Sequence, residues 1–182
     1  LFRSYLRFGM IGYSWSSYQP TSLTKLNLTG CTKLSELYLE NTPLTSLDIS
    51  SFKNLARLEL EHCPNLSIQG FEQATRLNYL ALPHTEQFGD LIKALPSSIA
   101  HLYLQDTKYD LPSSEAAKNL QTLGLPEYVE SFDLAQYQGL RTLDMGHGNS
   151  RMKYSTLRNY RSSVRYNGTS RFELTSPSHP HD

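Results

Sequence analysis

The residues of this chain that are able to do chemistry recur at intervals of 20 to 22. Asn41, His62, His84, Asp106, Glu127 and His147 form one such series. Histidines and carboxylates brought together at one level are a donor set for a divalent metal. Polar residues at the edge of any repeating scaffold look the same, so the series assigns no metal and no cofactor. A second series is aromatic and charged: Tyr38, Glu59, Ala81, Tyr103, Gly124 and Asp144, flanked by Glu36, Arg57, Tyr79, His101, Thr122 and Thr142. Tyrosine and arginine carry large contact areas with a polar tip, which suits the centre of a binding surface. Tyrosine is equally at home on an exposed strand, packing against its neighbours.

Catalytic signatures are missing. The sequence has no GxSxG, no GxxxxGK[ST] and no HExxH, and so lacks the nucleophile elbow, the phosphate cradle and the helical zinc pair that those patterns build. Glu59 and Glu61 share one side of a strand but have no pocket around them in the pattern. The two cysteines, Cys31 and Cys63, each follow the last leucine of a unit by three residues, in LNLTGC and LELEHC. They read as buried structural thiols. The chain therefore reads as non-enzymatic.

What positions these residues is a leucine frame that returns six times, in LSELYLENT from Leu34, LARLELEHC from Leu55, LNYLALPHT from Leu77, IAHLYLQDT from Ile99, LQTLGLPEY from Leu120 and LRTLDMGHG from Leu140. A fixed period of this size means stacked coils, none of which buries its apolar face alone. Within each unit the second and third leucines are two residues apart and point the same way along a strand, while the residue between them faces outward. Eighteen inward slots, from Leu34 to Met145, are all apolar. The outward positions then form the Tyr38 and Glu36 columns above, with Tyr79, His101 and Tyr103 within one or two strand spacings of about 4.8 Å.

A weaker series runs half a repeat out of phase: LTKLNL from Leu23, LTSLDI from Leu44 and VESFDL from Val129. Between these it decays through Leu66 and Ile68 to Phe88, Leu91, Ile92 and Leu95, whose spacing predicts a short helix. The return side of each coil is thus irregular, and the fold mostly β. Before Leu34, MIGYSWSSY places Met10, Tyr13 and Trp15 in the frame as an atypical first coil, with LFRSYLRF covering that end.

The alternation in CTKLSELYLENTPLTSLDISSFKNLARLEL resembles the short-period leucine-rich repeats of bacterial surface and secreted proteins, especially those of Bacteroidetes. LPSSIAHLYL is similar, more faintly, to bacterial leucine-rich effectors. The motif departs from the family where asparagine is expected, at Thr42, Cys63, Thr85, Thr107 and Tyr128. The resemblance implies a right-handed leucine-rich repeat solenoid with a parallel sheet on its concave face. It also implies recognition of a protein or glycan partner, at the cell surface or outside the cell. On this reading residues 1–33 are a cap and atypical repeat, 34–149 the repeats, and 150–182 a basic cap or tail. Tyr38, Arg57, Glu59, Tyr79, His101, Tyr103 and Asp144 are its candidate binding residues.

Charge separates the tail from the body. Residues 1–149 hold 11 Lys or Arg against 15 Asp or Glu, whereas 150–182 hold 6 against 2, giving −4 and +4. A basic tail with interleaved tyrosines offers an alternative function, binding nucleic acid or another anionic surface. Its Asn167-Gly168 pair favours a hairpin over 162–174 that caps the last open strand. A third reading makes the chain the repeat part of an effector whose enzymatic domain lies elsewhere. No apolar run is long enough to span a membrane.

Overall fold

In a computed structural model, residues 5–8, 22–82, 88–93, 95–104, 112–113, 117–125, 136–144, 164–166 and 171–174 are described. Their architecture is a β-solenoid with very little helix. The strands of the leucine frame are β2 (Glu36–Glu40), β4 (Arg57–Glu61), β6 (Tyr79–Ala81), β7 (His101–Tyr103), β8 (Thr122–Gly124) and β9 (Thr142–Asp144). They lie parallel and in strict register, with Leu37, Leu58, Leu80, Leu102, Leu123 and Leu143 side by side. Every described slot of the inward series is buried, at 7% exposure or less; Met145 lies outside the described residues. Burying a leucine is worth roughly 1.5–3 kcal/mol, so this column opposes the chain entropy that the coils give up.

Two backbone devices repeat from coil to coil. The first apolar residue of each unit donates its amide to the carbonyl three residues earlier, as in Leu34 to Cys31, Leu55 to Phe52, Leu77 to Ala74 and Leu120 to Ala117. This turn brings the chain back to the sheet. One carbonyl then accepts two amides from the next coil, as Ser35 does from Ala56 and Arg57, and Ala56 from Asn78 and Tyr79. The sheet is thereby started at the same level in every coil.

On the return side β3 (Ser46–Asp48) pairs in parallel with β5 (Ser67–Gln69), Leu47 opposite Ile68. Beyond it the extended run gives way to a 3-10 turn at Phe71–Gln73 and to the short helix α1 (Gly89–Lys93), which buries its own Ile92 and the preceding Phe88. The irregular return side expected from the decayed half-step series is present. LTKLNL, however, keeps the frame without forming a strand. VESFDL lies outside the described residues.

The N-terminal end of the main sheet differs from expectation. The place beside β2 is taken by β1 (Tyr5–Phe8), parallel, with Leu6 opposite Leu37 and Phe8 opposite Leu39. The opening segment is therefore the sheet's own edge strand. Met10, Tyr13 and Trp15 lie outside the described residues. YLRF alternates apolar and polar residues as a strand should, and it reaches β2 by a step longer than one coil. At the other end β10 (Val164–Tyr166) and β11 (Arg171–Leu174) run antiparallel, and β11 adds antiparallel to β9. The full order is β1-β2-β4-β6-β7-β8-β9-β11-β10.

The cysteines also divide. Cys63 is fully buried, with its sulfur 3.4 Å from the Thr42 hydroxyl, 3.3 Å from the Glu61 carbonyl and 3.6 Å from that of Leu39. Cys31 is exposed, against the expectation of a buried thiol. It belongs to the coil of LTKLNL, whose Leu23, Leu26 and Leu28 are themselves only partly buried. Side-chain amides tie the coils at a position the sequence reading did not single out. Asn54 donates to the Thr32 carbonyl at 3.1 Å, and Asn119 to that of Ser97 at 2.9 Å. Both asparagines directly precede the first leucine of a unit, a spacing that was open to detection.

Candidate functional site

The register sets out the outward columns as rows across the sheet. Tyr5, Glu36, Arg57, Tyr79, His101, Thr122 and Thr142 occupy one, and Arg7, Tyr38, Glu59, Ala81, Tyr103, Gly124 and Asp144 the next. Adjacent parallel strands hold these side chains close enough to touch.

Contacts run without a break from β1 to β7. The Tyr5 and Tyr38 rings are 5.1 Å apart. The Arg57 guanidinium lies 5.5 Å from the Tyr38 centroid and 3.7 Å from that of Tyr79. Tyr79 in turn stacks on Tyr103 at 5.2 Å and 28°, and its ring is 6.1 Å from that of His101. Arg57 is held over Tyr79 by Glu59, to which it donates from Nε at 2.8 Å and from a terminal nitrogen as well. The Tyr38 hydroxyl donates to Glu36 at 2.9 Å, and His101 Nδ1 lies 3.0 Å from the Thr122 hydroxyl. At the edge Arg7 reaches Glu40 at 3.4 Å and lies 5.9 Å from the Tyr38 ring.

The sequence pattern suggests shallow gaps at Ala81 and Gly124. At Gly124 the space is filled: a Cβ there would come 2.6 Å from Cδ1 of Tyr103, so the ring lies over the glycine. Tyr103 thus packs along its own row, which its spacing alone did not reveal. Asp144 continues the row on β9, one strand beyond, with Arg171 of β11 opposite it in register.

The electrostatics of the face follow from partial burial. Tyr38 is pushed up to about 12 by burial and by its hydrogen bond to Glu36. Tyr79 also rises well above the ordinary phenol range through burial, with Glu59 adding to the effect. Both rings are therefore neutral across the physiological range. Burial works against the Arg57 charge, but the Glu59 carboxylate outweighs it and the guanidinium is raised further. Glu61 is pushed up by partial burial and by Glu40, its neighbour in register. The arrangement offers flat neutral rings, fixed cations and a rim of carboxylates, which is equipment for binding.

Of the possible metal series, Asn41 and His62 end β2 and β4 in the left-handed region, with φ of 51° and 49°. His84, Asp106, Glu127 and His147 lie outside the described residues. Among the described residues no group of three His, Cys, Asp or Glu side chains is placed to hold a metal ion. No helix among them is long and apolar enough to cross a membrane. No family model matches the chain, and no curated protein matches it.

Proposed function

We propose that this chain is a non-enzymatic recognition module that binds a protein partner through the outward face of its nine-stranded sheet, with Arg57, Tyr79 and Tyr103 at the centre. The observation that carries this reading is the unbroken row of Tyr5, Tyr38, Arg57, Tyr79 and Tyr103 contacts across five adjacent strands. Interfaces draw most of their binding energy from aromatic and arginine side chains ringed by polar groups. Here those side chains are half-buried and already held in place, so little rotamer freedom is lost on association. Glu59, His101 and Asp144 supply the polar surround.

The period and the filled leucine slots support reading the scaffold as a leucine-rich repeat of the bacterial short-period kind. On that reading the binding face is concave and the module works at a cell surface or outside the cell. Selection of ligands from a random-peptide display library, with a glycan array in parallel, tests the assignment. Selected peptides should lose binding to Tyr79→Ala/Tyr103→Ala and to the milder Arg57→Gln. They should keep it to Lys25→Ala/Glu72→Ala, whose residues are exposed outside the main sheet. Peptides that bind all four proteins alike would remove the face from consideration, and glycans bound in their place would change the partner class.

A further inference from the structure

The first three strands of the outward face carry more negative than positive charge. On β1, β2 and β4 the outward residues include Arg7 and Arg57 against Glu36, Glu40, Glu59 and Glu61, two positive and four negative, a net of −2. Both arginines already have partners on this face, Arg7 in Glu40 and the Tyr5 hydroxyl and Arg57 in Glu59. This leaves the Tyr5 ring, rather than its hydroxyl, to an incoming group. Glu61 stands opposite Glu40 in register and the two carboxylates repel, a repulsion that an incoming cation relieves.

The same face displays how it holds a cation. The Arg57 guanidinium carbon lies over the Tyr79 ring, 3.7 Å from its centroid, while Glu59 accepts hydrogen bonds from the same group. Ring below and carboxylate beside is the arrangement that a guanidinium or ammonium group favours. Those two elements recur at the edge of the sheet, where Tyr5 is opposite Glu36 in register. Tyr5 is 46% exposed, the one large apolar side chain so exposed among the described residues. Its ring is backed by Tyr38 at 5.1 Å, and the Tyr38 hydroxyl fixes Glu36 through Oε2.

We infer that the partner is a protein segment presenting Lys or Arg, one of whose cationic groups rests on Tyr5 and against Glu36. This rests on the reading of the outward face as the binding surface and adds the chemistry of what binds there. The interaction joins cation–π attraction to charge complementarity, so it weakens as salt screens the carboxylates.

Fluorescently labelled octa-lysine and octa-glutamate, titrated by anisotropy at low and high salt, test the assignment. Octa-lysine should bind at low salt and octa-glutamate should not. Tyr5→Leu, which keeps an apolar residue on the edge strand, should weaken octa-lysine binding roughly tenfold, the size of one partly desolvated cation–π contact. Glu36→Gln should do likewise, while Asp48→Asn/Glu72→Gln, exposed outside the main sheet, should leave it unchanged. The inference is overturned if octa-glutamate binds as well as octa-lysine, or if Tyr5→Leu binds as wild type. It is also overturned if the control pair loses as much as Glu36→Gln. Failure here, with display-selected peptides still lost on Tyr79→Ala/Tyr103→Ala, removes the basic partner and leaves the face as the binding surface.

Discussion

Gly124→Ala tests whether the aromatic row is packed as described. The added methyl would stand 2.6 Å from Cδ1, 3.2 Å from Cγ and 3.3 Å from Cα of Tyr103. Ordinary carbon contacts lie at about 3.5–4.0 Å, so the ring must move by roughly 1 Å. It is not free to do so, because Tyr79 stacks on it at 5.2 Å. Overpacking of this kind costs about 1–3 kcal/mol. Replacing a strand glycine by alanine returns about 0.5–1 kcal/mol of backbone entropy. The net expectation is a loss of up to about 2.5 kcal/mol, or up to roughly 10 °C in melting temperature for a chain of this length. In a Tyr103→Ala background the ring is gone, and the same substitution should be neutral or slightly stabilising. Thermal melts of the four proteins of this cycle, followed by circular dichroism, give a coupling of about 1–3 kcal/mol if the ring is the obstacle. An equal cost in both backgrounds would refute the packing and leave Gly124 without its explanation.

Two further substitutions probe the backbone and the charges. Gly70 and Gly30 share left-handed φ values of 86° and 84°, but a Cβ on Gly70 would meet the Ser50 backbone, with Cα at 2.6 Å, while one on Gly30 meets nothing within 4 Å. In urea unfolding, Gly70→Ala should therefore lose more than Gly30→Ala by about 1 kcal/mol or more, and equal losses would show that strained φ alone governs both sites. Glu61→Gln should leave the protein at least as stable at neutral pH, because the folded state holds the Glu61 carboxyl above its ordinary value of 4.5 and so disfavours its charge. Below that value both states carry the proton and the difference should vanish; a larger destabilisation at pH 7 than in acid would reverse the sign and refute the assignment.

The interior of this fold was legible because one residue type does one job at a fixed interval. Leucines two apart on a strand must share a face, and a period of about one coil sets neighbouring strands in register. From those two facts the outward columns follow; the irregular return side and its short helix follow from the decayed half-step series and the spacing of Phe88, Leu91, Ile92 and Leu95. The first strand was not legible. YLRF brings only Leu6 and Phe8 to the pattern, and its step to β2 is too long for the period to announce it. Cys31 was misplaced for a related reason: its spacing copies that of Cys63, but burial depends on what lies over a coil, and Leu23, Leu26 and Leu28 beside it are only partly covered.

The candidate site shows a different limit. Its members were found because the columns are a matter of backbone register, yet their contacts depend on rotamers. Tyr103 turns along its row to cover Gly124, and Arg57 turns along its own onto Tyr79. Tyr79, by contrast, crosses to the next row to stack on Tyr103. These choices make the face a packed layer as well as a surface. Truncating Tyr79 or Tyr103 therefore removes contacts that stabilise the sheet, each aromatic pair being worth about 0.5–1.5 kcal/mol beyond its area. A loss of binding in such variants is mixed with a loss of order in the face itself. Tyr5 and Glu36 escape this ambiguity better than the centre does. Tyr5 is exposed at the edge of the sheet, and Glu36→Gln keeps the size of the side chain and an oxygen for the Tyr38 hydroxyl while removing the charge. An effect of Glu36→Gln on octa-lysine binding, with an unchanged melting temperature, reports on recognition alone.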